Sequence, residues 1–268
     1  MFRKVEYGSN RYYTSLENDD FEGGNPNKVK LAINENYKYI QRNIFFRFFS
    51  FIIYYFIAIP ILFIYSYFFE GVRVKGRGKL KKIKGGYVIY ANHTHTHDAY
   101  LGHVFIARPK RTYIIASKIA LGIPVIRSLV KMLGFYPIPE GFKAYKNFNN
   151  AIKETLQKGN CIIVYPEAHI WNFYTHLRPF PSASFHYAAD NNVACVGAAI
   201  TYRKPKGLFK KYLKPRATIN ILDPLYPDPL LSLKENINML HDKIWDEMNN
   251  VIEDKNNYPL YEYMKKPE

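Results

Sequence analysis

Gly86-Tyr87-Val88-Ile89-Tyr90-Ala91-Asn92-His93-Thr94-His95-Thr96-His97-Asp98 is the stretch whose reading decides the fold. Its first half is short, apolar and rich in β-formers, as a buried strand requires. Its second half is polar, and Ala99 to Ala107 then reads as a helix. A buried strand that ends in a polar turn at the start of a helix is where α/β folds carry chemistry. Three histidines and an acid within six residues are too costly to desolvate without purpose. The turn is therefore the expected active site.

Two chemistries compete for it. On an extended backbone His93, His95 and His97 point to one side and Asp98 follows, as in a zinc turn with neutral imidazole ligands. That pattern resembles the His-x-His-x-Asp-His turn of metallo-β-lactamase-like hydrolases, with its last two residues in reverse order. Further ligands would come from His169, His176, His186 or His241, none of which has the strand-end setting of such a site. The second reading pairs His93 with Asp98 across four residues. A histidine titrates near neutrality and so suits removal of a proton from a hydroxyl. A carboxylate on its other ring nitrogen orients it and stabilises the imidazolium. A substrate that brings its own hydroxyl makes a serine or cysteine nucleophile unnecessary.

Asn92-His93-x4-Asp98 resembles the first motif of the glycerolipid acyltransferases, which include bacterial lysophosphatidate acyltransferases. Gly134-Phe135-Tyr136-Pro137-Ile138 stands where that family has its second motif, and Tyr165-Pro166-Glu167 resembles the start of its Phe-Pro-Glu-Gly-Thr-Arg block. Leu177-Arg178-Pro179-Phe180 and Val193 to Ala198 follow in the family's order. The resemblance covers roughly residues 72 to 225. It implies O-acyl transfer, with His93 as base and Asp98 as its partner. Backbone N–H groups near the start of the next helix would stabilise the oxyanion. Asn92, Gly134, Pro166, Glu167, His169, Arg178 and Lys118 would surround the substrate, with Glu167 either holding the acceptor's hydroxyls or anchoring a basic residue. Acyl-CoA or acyl-carrier protein would serve as co-substrate, with no metal and no cofactor. The chain also departs from the pattern. Pro139 or Glu140 stands where an arginine closes the second motif, and Ala168-His169-Ile170 replaces Gly-Thr-Arg. Arginine binds phosphate as a planar fork. The acceptor's charge would then have to be met by Lys118, Arg127, Arg178 or His169.

Working outward, 268 residues allow one large domain with an appendage. The expected divisions are a polar amino-terminal segment at 1–42, loose over 1–27 and basic and potentially helical from Asn27 to Arg42, an apolar anchor, helix or hairpin, at 43–70 and an acyltransferase-like domain at 71–268. Phe48 to Phe69 carries no charge and is about long enough to cross a bilayer. Pro60 in its middle would kink a helix or split it into a hairpin. The net charge of +16 and pI near 9.6 demand an anionic partner. Two acid-free runs carry much of that charge. One spans Arg73 to Lys84, expected as a basic edge strand, and the other holds Arg203, Lys204, Lys206, Lys210, Lys211, Lys214 and Arg216. Beside an apolar anchor they read as contacts to anionic lipid headgroups. No recognition motif supports nucleic acid as a partner. A thioester donor made inside the cell places the domain on the cytoplasmic face of the membrane. Cys161 and Cys195 lie in apolar runs and read as buried thiols. Strand–helix alternation after the turn predicts an α/β fold, a central mixed sheet covered by helices, behind the amino-terminal helical segment.

Overall fold

The computed structural model describes residues 5–22, 29–95, 97–106, 110–122, 124–207, 210, 213–255 and 258–267. Thr96 of the turn, the polar stretch 23–28 and Lys211 of the second basic run lie outside the described residues. A mixed sheet forms the centre. Its strand order is β2 (Arg73–Lys75), β8 (Arg216–Ile221), β7 (Ala194–Arg203), β3 (Tyr87–Ala91), β6 (Cys161–Val164), β4 (Thr112–Ala116) and β5 (Phe135–Pro137). From β7 to β5 all neighbours run parallel, β8 is antiparallel to β7, and β2 is parallel to β8. Parallel strands covered on both faces become continuous apolar runs, and every residue of β3 and β6 is buried. Cys161 and Cys195 are buried free thiols, as expected.

One face of the sheet packs against α5 (Phe142–Gln157) and α7 (Leu233–Lys255) through Phe148, Ile152, Leu240, Ile244 and Met248. Ser232 and Glu235 cap α7 reciprocally, with Glu235 N–H donating to Ser232 Oγ at 3.3 Å and Ser232 N–H to Glu235 Oε2 at 2.8 Å. The other face is covered by the turn-following α3 (Asp98–Leu101) with its π-helical extension Gly102–Ile106, and by the apolar helix.

That helix runs unbroken from Ile44 to Phe69, through α1 (Ile44–Ile52), a π-turn, α2 (Ile59–Ile64) and a second π-turn. Pro60 neither splits it into a hairpin nor ends it. The π-turn Ile53–Ala58 just before it uses wider hydrogen bonds, with Ile59 N–H donating to Tyr54 O, which makes room for the ring. One side of the helix is docked along the domain. Ser50 Oγ donates to Met132 O at 2.8 Å, Tyr54 hydroxyl meets His103 Nδ1 at 3.1 Å, and Val72 N–H donates to Ser66 O at 2.9 Å. The opposite side exposes Phe45, Phe48, Phe56, Phe68 and Phe69.

Two expectations change here. The amino-terminal segment, read as loose, contains β1 (Ser9–Tyr13), which pairs in parallel with β9 (Tyr261–Lys265). Ile33, Tyr37 and Tyr39 join the core. Local pattern could not reveal a partner at the far end of the chain. The first basic run is an edge strand for only three residues and continues as a 3-10 turn, Arg77–Lys82. Gly76, at φ +76°, ends the strand where any side chain would strike the carbonyl of Ile221. Among the described residues α4 (Pro124–Met132) and α6 (His186–Ala189) complete the helices.

Candidate active site

The chain leaves β3 at Asn92, whose fully buried amide clamps the neighbouring strand. Its Nδ2 donates to Ile200 O at 3.0 Å and its Oδ1 accepts Ile200 N–H at 2.7 Å. Asn92 therefore anchors the turn to β7, where the sequence reading had placed it against substrate. His93 follows, with its Nδ1 3.1 Å from Asp98 Oδ2. The same oxygen accepts the backbone N–H groups of Thr94 at 3.0 Å and His95 at 2.9 Å, which ties the turn into a tight loop. An ionised carboxylate can only accept, so Nδ1 carries the proton and Nε2 keeps its lone pair. The side chain of Asp98 is fully buried, and that of His93 is 16% exposed. The imidazole thus keeps one side open.

Tyr165, the last residue before Pro166 and Glu167, stacks on the His93 ring at 4.6 Å and donates its hydroxyl to Asp98 O at 2.7 Å. Burial, then the charge of Asp98, pushes its phenol well above the ordinary range, so it stays a neutral donor. Sequence reasoning passed over Tyr165, although its place before Pro-Glu was the available signal. Tyr202 adds a second brace, donating to Thr94 O at 2.8 Å.

Glu167 is buried beneath the turn. Its Oε2 accepts His93 N–H at 3.0 Å and Arg178 Nη2 at 3.0 Å, while Oε1 accepts Arg178 N–H at 3.1 Å. Both side chains of this ion pair are fully enclosed. Arg178 also donates to His169 O and lies over the Trp171 ring at 5.0 Å. The pair supports the turn from below, which removes Arg178 from the expected substrate contacts and leaves Glu167 in its other expected role, holding a basic residue. Pro166 is buried between Tyr165 and Glu167. The imidazole of His169 lies 3.4 Å from Asp20 of the amino-terminal strap.

Lys118 and Gly134 sit elsewhere. β6 and β4 separate β5 from β3. Lys118 Nζ binds Glu140 Oε1 at 2.5 Å, and that hydrogen bond holds the Glu140 carboxyl below its usual range. Gly134, at φ +91°, turns the chain into β5 against the carbonyl of Thr112. Arg127 Nε donates to Leu121 O at 3.0 Å. Backbone donors at the start of α3 are also largely committed, with Asp98 N–H bound to His95 O and those of Tyr100 and Leu101 to His97 O.

The four-residue metal cluster does not form. His93 and Asp98 hold each other, whereas His95 and His97 gather with Glu70 at the end of the apolar helix, their ligand atoms within 4.8 Å of one another. That group is knit by its own hydrogen bonds. His97 Nδ1 contacts Glu70 Oε1, Tyr100 hydroxyl donates to Glu70 Oε2 at 3.3 Å, and His97 N–H donates to His95 Nδ1 at 3.0 Å. Burial would raise the Glu70 carboxyl, but His97 holds it below its ordinary value. Burial lowers His95.

Comparison with known proteins agrees with this geometry. Residues 71–201 match the family model described as Acyltransferase. The crystal structure of the 1-acyl-sn-glycerophosphate (LPA) acyltransferase PlsC from Thermotoga maritima has a similar fold. Its TM-score is 0.55 at 18% identity, over 77% of this chain and 88% of that one. A comparison with curated protein sequences found no match. Residues 71–201 thus match an acyltransferase domain on a PlsC-like fold, with a His-x4-Asp pair at the end of the central strand.

Proposed function

We propose that the protein is a membrane-bound O-acyltransferase that moves a fatty acyl group from acyl-CoA or acyl-carrier protein to the hydroxyl of a lysophospholipid. The observation that carries this reading is the His93 Nδ1–Asp98 Oδ2 pair of 3.1 Å, which leaves Nε2 as the basic atom at the open side of the turn. Nε2 takes the acceptor's hydroxyl proton as its oxygen attacks the thioester carbonyl. The tetrahedral intermediate collapses, the C–S bond breaks, and the thiolate leaves with the proton returned from His93. Asp98 stabilises the imidazolium between the two transfers. Tyr165 and Glu167 act through His93, by fixing its ring and its backbone.

The attachment follows from the apolar helix. Its docked side, Ser50 to Ser66, follows the domain, and its phenylalanine side faces outward. Such a helix lies along the bilayer surface with its aromatic side immersed. The domain faces the cytoplasm, where the thioester donors are made. The test is His93→Ala in purified membranes, with labelled acyl donor, a panel of lysolipids and release of free thiol as readout. Loss of 10²–10⁴-fold is expected. Turnover within a few-fold of wild type overturns the mechanism.

A further inference from the structure

The lateral edge of the sheet beyond β7 holds three arginines that the acyl-transfer site does not use. Arg203 at the end of β7 is the register partner of Arg216 at the start of β8, and Arg73 at the start of β2 pairs with Thr218. Register partners share a face of a sheet, as do alternate residues of one strand. The three side chains therefore leave one face at one end. It is the end where β3 delivers His93, since β3 and β7 finish there and β2 and β8 begin.

These groups crowd one another. The Arg203 guanidinium donates to Gly71 O, and that of Arg216 packs directly over Gly71. The Nε atoms of Arg203 and Arg216 are buried without a hydrogen-bond partner. Among the described residues no carboxylate pairs with any of the three. The acid beside them in sequence, Glu70, is committed to His97 and Tyr100. Burial, then the charges of Arg73 and Arg216, lowers Arg203 to about 10. Like charges in register destabilise a sheet, and unpaired buried donors add to the cost. An anion with several acceptor oxygens relieves both.

Its source is indicated by what adjoins it. Gly71 lies two residues beyond the end of the apolar helix, where Tyr67, Phe68 and Phe69 are 51%, 65% and 68% exposed. Cations above outward-facing aromatics match a phosphate joined to acyl chains. We propose that Arg73, Arg203 and Arg216 form a discrete site for a phosphate group, that of an anionic phospholipid in the bilayer on which the helix lies. Guanidinium forks give it direction that scattered lysines lack. The proposal rests on the attachment reading above and is independent of acyl transfer.

The test uses the full chain with vesicles of phosphatidylcholine alone and of phosphatidylcholine with phosphatidylglycerol. Arg203→Gln with Arg216→Gln is compared with a charge-matched pair from the same surface, Lys204→Gln with Lys206→Gln. The arginine pair is expected to lose at least ten-fold more affinity for anionic vesicles than the lysine pair, with phosphatidylcholine binding unchanged. Equal losses mean diffuse attraction and overturn the site. Arg203→Lys with Arg216→Lys keeps the charge and guards against misfolding; full retention of binding by this pair also overturns it. Soluble CoA and inorganic phosphate form the third arm, and displacement from anionic vesicles by CoA at equal phosphate concentration would reassign the site to the donor. A wild-type chain that ignores phosphatidylcholine but binds anionic vesicles through the arginines refutes the helix attachment and leaves the site standing.

Discussion

The Glu167 carboxylate accepts the backbone N–H of His93 at 3.0 Å while its own charge is neutralised by buried Arg178. Glu167 is thus part of the footing of His93. Removing one partner of a buried pair leaves an uncompensated charge, at a cost of about 3–5 kcal/mol. Arg178→Met is expected to lower stability by that order in denaturant titration. A variant that unfolds like wild type while losing only acceptor affinity would return Arg178 to the substrate.

Asp98→Asn keeps the shape of the turn but removes the charge that favours imidazolium. It is expected to reduce kcat by about 10²–10⁴-fold with little change in KM, read from steady-state kinetics. An unchanged kcat would show that His93 needs no oriented partner.

His103 supplies a pH dependence. Burial, and then Arg111, lowers its pKa to about 3, against about 6.5 in an unfolded chain. The folded state thus prefers neutral imidazole, which accepts from the Tyr54 hydroxyl. Its contribution is complete above pH 6.5 and declines as pH falls toward 3, because the unfolded state binds the proton first. Melting temperature should drop between pH 7 and 5 in wild type and drop less in His103→Gln. Parallel curves would refute this.

Ala168 holds φ +62°, a left-handed conformation that costs a residue with a Cβ about 1–2 kcal/mol. It stands where the resembling family has glycine. Ala168→Gly is expected to stabilise the protein by up to about 1 kcal/mol in chemical denaturation, and net destabilisation would contradict the conformation.

Glu70, His95 and His97 satisfy one another by hydrogen bonds. Acyl transfer is expected to survive dialysis against chelator within two-fold, measured by thiol release. Loss of activity that returns with zinc would make the group a metal centre.

The sequence was most legible where meaning is local. His93 and Asp98 are five residues apart and close one turn, so spacing sufficed. The strand character of Val88 and Ile163 followed from apolar runs, and the cap of α7 from Ser232 and Glu235. What escaped depends on distant partners. Asn92 looked like a substrate contact because its bond to Ile200 crosses 108 residues. Arg178 was assigned to ligand, and Glu167 either to the acceptor's hydroxyls or to a basic residue, because nothing in a linear reading tells a charge facing solvent from one enclosed by its counterion. The strap at Ser9–Tyr13 had no visible partner because the strand beside it lies near the other end of the chain.

The pairing of β1 with β9 also sets a timetable. β9 leaves the ribosome about 250 residues after β1, roughly 10–50 s later at ordinary elongation rates. Tyr263 of that strand stacks on Trp171 at 5.0 Å, and Trp171 N–H donates to the carbonyl of His93. This part of the turn's support is therefore completed only after β9 has emerged, whereas the phenylalanine-rich helix emerges well before it. A nascent chain should reach the lipid surface before it can turn over substrate.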